Sequence, residues 1–205
     1  MKRQVIVLDR QFGSGGREIG EKLSKALGFD YYDWQLLSMA AKRAEIREDL
    51  FAGKEEKAGN PWLFQGVYEG GPRVQQGQSA EDILFQMQSE IIQELGSKGN
   101  CLIVGRCADA ILDKAQLNCL SLFICAPLPW RVRHRMEVEH LDEKATTALI
   151  EKTDKQREKY YTHYTGRDWG FPENYDLCIN SARLGIDQTA ALLATHCKQL
   201  FSQEI

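Results

Sequence analysis

Short apolar runs separated by helix-periodic segments constrain the fold of this chain more than any other feature. The runs cover residues 5–8, 101–104, 120–125 and 175–180, with a shorter candidate at 29–32. A continuous apolar run of this length is typical of a strand that is buried on both faces. Strands that alternate with helices predict a parallel sheet between two helical layers. We therefore expect a three-layer α/β fold with about five parallel strands.

The length of the chain predicts the number of domains, and its net charge and apolar runs argue against some classes of partner. The chain has 205 residues, which predicts a single domain over 1–205. The formal net charge is −3, so no overall positive field draws the protein to nucleic acid or to a membrane surface. No apolar run approaches the roughly 20 residues that span a bilayer. We expect neither nucleic acid nor membrane as a partner and a cytoplasmic location, and the sequence leaves the oligomeric state open.

Residues 50–80 differ in character from the rest of the chain. This segment contains six of the 17 glycines together with Pro61 and Pro72, and it shows no helical or strand period. Irregular segments of this length are usually functional or disordered. We predict that it is the most mobile part of the free protein.

A glycine-rich turn, Gly13-Ser14-Gly15-Gly16, lies between the first predicted strand and the first predicted helix. Backbone N–H groups in such a turn form an anion nest, and the helix dipole adds to its attraction for phosphate. The Walker A pattern G-x-x-x-x-G-K-[ST], aligned with Gly16 as its second glycine, places Arg17 at the lysine and Glu18 at the hydroxyl residue. The alternative is a turn whose glycines only let the helix pack against the strand.

Several arginines follow predicted strands or share helix faces. Arg106 ends the strand at 101–104, Arg131 and Arg135 are four residues apart, and Asp154 and Arg157 are three apart. Arginine at the carboxyl edge of a parallel sheet is well suited to grip phosphate through paired hydrogen bonds. Salt bridges to nearby carboxylates explain the same residues without a ligand.

Together these segments resemble the cytidylate kinase-like family. The resemblance extends over nearly the whole chain except residues 50–80, and it is carried by residues 10–20, 31–33, 103–106, 153–155, 160–166, 169–170 and 175–180. It implies a nucleoside monophosphate kinase of the P-loop NTPase type. It also implies a helical lid at 129–170 and an acceptor-side insertion at 50–80.

The resemblance further implies ATP and Mg²⁺ as cofactors and CMP or dCMP as the acceptor. By this similarity the ATP phosphates are held by Gly13, Ser14, Gly15, Gly16, Arg17 and Glu18, with Glu18 also placed as a Mg²⁺ ligand. The acceptor is contacted by Asp33, Arg106, Asp154 and Arg157. Charge on the transferred phosphoryl group is neutralised by Arg17, Arg131 and Arg135.

The chain departs from authentic cytidylate kinases at several of these positions. Arg17 replaces the phosphate-reaching lysine, and Glu18 replaces the hydroxyl residue that ligates Mg²⁺. Val104 and Cys107 stand where acidic residues are expected, and Ile150 where a further lid arginine is expected. Two alternatives therefore stay open beside a CMP kinase: a non-catalytic nucleotide sensor, and a kinase for another small phosphate acceptor.

Overall fold

Five parallel strands form one sheet at the centre of the computed structural model, which describes residues 4–43 and 80–203. The strands are β1 (Val5–Arg10), β2 (Asp30–Tyr32), β3 (Cys101–Val104), β4 (Leu120–Cys125) and β5 (Leu177–Asn180). Their order in the sheet is β2-β3-β1-β4-β5. The number and direction of the strands confirm the prediction from the apolar runs.

Seven helices are present in the described residues. They are α1 (Gly16–Leu27), α2 (Gln35–Arg43), α3 (Ala80–Lys98), α4 (Ala108–Lys114), α5 (Leu128–Glu139), α6 (Glu143–Thr165) and α7 (Gly185–Gln203). A single 3₁₀ turn, Pro172–Asn174, precedes β5. None of the described helices is both long and apolar enough to cross a membrane.

Alternation along β1 builds the two halves of the core. Val5 and Val7 face a cluster completed by α2, α3 and α4. Ile6 and Leu8 face the opposite cluster, completed by α1 and α7. Successive strand residues point to opposite faces of a sheet, so a continuous apolar strand serves both layers at once. The three-layer α/β architecture is thereby confirmed.

The register aligns the carboxyl ends of the central strands. Leu8 pairs with Val104 of β3 and with Leu122 of β4. The carboxyl ends of the three central strands therefore meet at one edge, where ligands bind in open α/β sheets. The glycine turn after β1 lies in the middle of that edge.

A third, smaller apolar cluster joins the two helices of the predicted lid to the glycine turn. Phe12 of the turn packs with Val132 of α5 and Ile150 of α6, all three buried. Asp142 caps the start of α6 by accepting a hydrogen bond from the Ala145 N–H at 2.8 Å. Residues 128–165 thus form a helical pair that covers the turn, while their movement as a lid stays a prediction.

Some predictions from the sequence were wrong or lie beyond the described residues. Helix α4 was not anticipated, because residues 108–114 form too short a pattern to show a helical period. Cys178 lies in the apolar run 175–180, which predicts burial, but it is exposed because β5 is an edge strand of the sheet. Segment 50–80 lies outside the described residues except for Ala80, which begins α3.

Candidate functional site

The glycine turn has the backbone geometry of an anion nest. Gly13 and Gly15 take positive φ angles of 82° and 75°. Gly15 is the N-cap of α1, and no side chain caps this helix end. The N–H groups of the first helical turn have no intrahelical partner, so they are available to an anion. Phosphate binding by residues 13–18 stays a prediction that this backbone geometry allows.

Close packing also requires the glycines. A Cβ atom on Gly15 would lie 2.7 Å from Ile186 Cγ1, and one on Gly16 would lie 2.6 Å from Arg10 Cβ. The turn is therefore packed between α7 on one side and the Arg10 side chain on the other. Packing and anion binding are compatible, because packing does not use the free N–H groups.

A cavity of about 400 Å³ opens over this turn. Of the residues singled out in the sequence, those that line it are Gly13, residues 15–18, Asp33, Arg135 and Arg157. Arg10, Phe12, His134 and Glu139 also line it. The tertiary structure therefore gathers side chains from β1, α1, the end of β2, α5 and α6 around one space.

Asp33 holds two arginines at the wall of this cavity. Its Oδ1 accepts a hydrogen bond from Arg10 at 3.3 Å, and its Oδ2 lies 3.7 Å from Arg17 Nε. The Asp33 side chain is 5% exposed, the Arg10 side chain 8% and the Arg17 side chain 54%. Arg10 is therefore the inner member of the group, and Arg17 lies at the mouth.

Arg157 is a buried cation that has no carboxylate hydrogen-bond partner in the described part of the chain. It donates from Nη1 to the backbone carbonyl of Arg10 at 2.5 Å, and its Nε is buried with no hydrogen-bond partner among the described residues. Burial, with a further contribution from nearby Arg10, lowers the pKa of Arg157 to about 9. Since arginine stays protonated in proteins, this direction means that the cation is held at a cost. An anion in the cavity relieves that cost.

Asp154 and Arg131 lie beside the cavity rather than on it. Asp154 Oδ1 accepts the Phe12 N–H at 2.7 Å, and its Oδ2 accepts from Arg131 Nη1 at 2.5 Å. Arg131 Nη1 also donates to the Phe12 carbonyl at 3.2 Å. These three residues form a closed brace that fixes α5 and α6 to the glycine turn. The predicted contacts of Asp154 with the acceptor and of Arg131 with the phosphoryl group would have to replace the hydrogen bonds of this brace.

Arg135 and His134 approach the turn from α5. The Arg135 guanidinium lies 4.5 Å from the centre of the Phe12 ring and pairs with Glu139. Burial lowers the pKa of Arg135. His134 Nδ1 lies 3.0 Å from the Gly13 carbonyl, and its Nε2 lies 3.5 Å from Glu18 Oε2. The histidine therefore connects the turn to the carboxylate predicted to ligate Mg²⁺.

Two further predicted residues, Arg106 and Ser14, do not line the cavity either. Arg106 is buried at the end of β3 in a run of three residues with positive φ, from Gly105 at 66° to Cys107 at 57°. Non-glycine residues in this left-handed region are strained, and such strain clusters at functional sites. Ser14 is fully buried, and its hydroxyl donates to the Gln11 carbonyl at 2.8 Å.

Sequence reasoning missed Arg10 as a site residue. The signal was present, because Arg10 lies two residues after the apolar run 5–8, just as Arg106 lies two residues after the run 101–104. Phe12 and His134 carried no signal of their own, since their roles depend on contacts between turn and helix. A single sequence does not contain such contacts.

Glu18 is the described residue best suited to ligate a metal. Its Oε2 is buried and has no hydrogen-bond partner among the described residues. The described part of the chain contains no cluster of three or more carboxylate, histidine or cysteine ligands. Mg²⁺ at phosphate sites typically takes one or two carboxylates together with phosphate and water oxygens. A carboxylate whose Oε2 accepts no hydrogen bond from the described residues, beside an anion nest, fits that requirement.

Comparisons with known proteins agree with the family resemblance of the sequence. The sequence profile of the cytidylate kinase-like family matches residues 5–183. No curated protein sequence gives a match.

Solved structures share the fold over nearly the full chain. An uncharacterised protein from Eubacterium ventriosum ATCC 27560 superposes with a TM-score of 0.69 at 24% identity, over 96% of this chain and 99% of that chain. Shikimate kinase from Bacteroides thetaiotaomicron gives 0.56 at 13% identity, over 96% and 99%. A gluconokinase from Sinorhizobium meliloti 1021 gives 0.55 at 13% identity, over 99% and 98%. At these identities the likeness establishes the fold and leaves the substrate undetermined.

Proposed function

The chain belongs to the cytidylate kinase-like family, and from that premise we propose that it transfers the γ-phosphoryl group of ATP to a nucleoside monophosphate, with CMP and dCMP as the first acceptors to test. One observation carries the proposal: an uncapped anion nest opens into a cavity that is lined by Arg10, Arg135 and Arg157. The cavity volume, about 400 Å³, lies within the range of small-molecule sites.

The arrangement of charges suits phosphoryl transfer. Catalysis of this reaction consists mainly of positioning and of neutralising charge on the oxygens of the transferred group. The nest is placed to hold the phosphates of the donor, and the buried arginines face the same space from β1, α5 and α6. Arg157 in particular is a buried cation that gains a partner when a phosphate enters.

The charge balance favours a phosphate acceptor over an alcohol. An oxygen of the acceptor phosphate attacks the γ-phosphorus while the bond from that phosphorus to the β-bridging oxygen breaks. With a doubly ionised acceptor, CMP²⁻ and ATP⁴⁻ give CDP³⁻ and ADP³⁻, so no proton has to be removed. Shikimate kinase and gluconokinase, two of the fold relatives, are named for substrates that offer a hydroxyl group, whose proton needs a base. Asp33 is poorly placed to be that base, because arginines engage both of its oxygens.

Mg²⁺ fits the site through Glu18, whose buried Oε2 lacks a hydrogen-bond partner among the described residues. When bound, the ion supplies neutralisation of charge on the β- and γ-phosphates. Asp33 and Glu139, the other carboxylates on the cavity, are paired with arginines.

A coupled ADP-release assay tests the proposal. ATP and Mg²⁺ are supplied with each of CMP, dCMP, UMP, AMP and GMP in turn, and with shikimate and gluconate as alcohol acceptors. We expect turnover with at least one nucleoside monophosphate and none with the alcohols. ATP binding by calorimetry without turnover on any acceptor would establish a nucleotide sensor instead.

The variant Arg157→Met tests whether the activity depends on this cavity. Losing a charge-assisted hydrogen bond costs about 1.5–3 kcal/mol, so acceptor use should fall by roughly ten-fold or more. The matched control is Glu158→Gln, an exposed position on the same helix, which should leave the rate unchanged. Equal rates in both variants would remove Arg157 from the site.

A further inference from the structure

We propose that Arg10, at the end of β1, supplies the cation that contacts the transferred phosphoryl group, a role that the lysine of a P-loop otherwise fills. The inference rests on the proposed phosphoryl transfer and adds a catalytic residue to it. It arises from three observations: the position that would hold the lysine, the course of the Arg10 side chain, and its place between the two sides of the cavity.

The turn holds no side chain suited to the lysine's role in either alignment of the pattern. With Gly16 as the second glycine, the lysine position falls on Arg17, whose side chain is 54% exposed and paired with Glu21 at 3.3 Å. With Gly15 as the second glycine, it falls on Gly16, which has no side chain. The second alignment agrees with the start of the helix, because Gly15 is the N-cap of α1.

The Arg10 side chain fills the space that a side chain at residue 16 would occupy. Its Cβ and Cγ lie 2.6 and 2.9 Å from the position of a Cβ on Gly16. Its Nη1 lies 2.6 Å from the position of a Cβ on Gly105, after β3. Two glycines on separate elements therefore leave room for one arginine. Any larger residue at either position would displace it.

Arg10 thus lies between the donor side and the acceptor side of the cavity. The nest is on one side of its side chain, and Asp33 and Gly105, at the ends of β2 and β3, are on the other. The phosphoryl group has to cross this space to pass from donor to acceptor. Arg10 stays protonated throughout, so it contributes charge and hydrogen bonds and exchanges no proton.

Two carboxylates hold Arg10 in place: Asp33, and Asp9, whose Oδ1 lies 3.9 Å from Arg10 Nη1. Its hydrogen bond to Asp33 is 3.3 Å long, whereas charge-assisted bonds of this kind are usually about 2.7–2.9 Å. Arg157 lies close enough that Arg10 contributes to its lowered pKa, so two cations repel each other here. A phosphoryl group between them would bond to both and remove that repulsion.

The first test compares Arg10→Gln, Arg10→Lys and Arg17→Gln. Removing a group that stabilises charge in a transition state lowers kcat by about 10² to 10³-fold, and we expect this loss for Arg10→Gln. Arg10→Lys should retain part of the rate because it keeps the charge, and Arg17→Gln should lose much less than Arg10→Gln. A loss in Arg17→Gln as large as that in Arg10→Gln would overturn the assignment.

A second pair of variants keeps Arg10 and moves only its tip. Gly105→Ala places a methyl group against Nη1, the flexible end of the side chain, at a φ of 66°. Gly28→Ala makes the same change at a φ of 71° with no atom within 4 Å. Both should lower the melting temperature by a similar amount through backbone strain, but only Gly105→Ala should lower kcat. Equal kcat in the two variants would contradict the inference.

Calorimetry separates this inference from the proposed function. Adenylyl imidodiphosphate, which carries a γ-phosphoryl mimic, and ADP, which does not, are titrated into wild type and Arg10→Gln. We expect the variant to lose affinity for the first ligand at least ten-fold and to bind ADP nearly as wild type does. Unchanged affinity for both overturns the role of Arg10 while the kinase proposal stands. A wild-type protein that binds neither ligand overturns both.

Discussion

Replacing Asp154 separates a structural brace from a contact with substrate. Both of its oxygens are engaged, Oδ1 by the Phe12 N–H at 2.7 Å and Oδ2 by Arg131 Nη1 at 2.5 Å. The Asp154 and Arg131 side chains are 17% and 10% exposed, so the pair is largely removed from water. We therefore expect Asp154→Ala to destabilise the protein before it affects any particular substrate.

The expected loss of stability in Asp154→Ala follows from the ion pair with Arg131 that the substitution breaks. Breaking a buried ion pair from one side costs about 3–5 kcal/mol, and partial exposure places this pair near the lower figure. For a protein of this size, 1 kcal/mol shifts the melting temperature by about 2–4 °C. Asp154→Ala should therefore melt about 6–12 °C below wild type. Asp154→Asn, which keeps an acceptor for the Phe12 N–H, should lose about half as much.

Thermal melting and urea unfolding measure the effect, with acceptor kinetics recorded on the same samples. Glu158→Ala, an exposed position one turn further along α6, is the control and should melt as wild type does. If Asp154→Ala melts within about 2 °C of wild type while the KM for the acceptor rises, the brace is not what holds α6 to the turn. The residue would then contact the acceptor, as the family resemblance implies.

Three further outcomes are expected. Gly15→Val should abolish nucleotide binding in calorimetry, because it forces a β-branched residue to a φ of 75° and against Ile186 at 2.7 Å; unchanged affinity would contradict this. Burial raises the pKa of Asp109. Above the ordinary pKa of about 3.9, the native state therefore binds more protons than the unfolded state, and the free energy of unfolding falls as the pH rises. Asp109→Asn should accordingly gain urea resistance relative to wild type as the pH rises above about 4, and parallel curves of stability against pH would refute the argument. Iodoacetamide at pH 8 should modify exposed Cys178 before Cys101, whose pKa burial raises to about 11; mass spectrometry of the labelled peptides decides this, and labelling of Cys101 first would count against it.

The layers of the fold were predictable from the sequence because burial leaves a local mark. A strand covered on both faces must be apolar at every position, so residues 101–104 and 120–125 stand out without any knowledge of their neighbours. The glycine turn is equally local, since positive φ angles at Gly13 and Gly15 favour glycine. These features depend on the backbone and on the periods of single elements.

The division of the arginines between cavity and brace was decided by the tertiary structure alone. Arg131 and Arg135 lie on one helix four residues apart, yet Arg131 braces Phe12 and Asp154 while Arg135 lines the cavity. Arg10 and Gly105 come into contact only because β1 and β3 pair in parallel with Leu8 opposite Val104. The partner of a long charged side chain depends on which elements the register places beside it, and helical spacing contains no information about that register. The sequence alone thus determined where this chain has a sheet, a glycine turn and a set of arginines. The packing of α5 and α6 on the turn decided which of these arginines line the cavity.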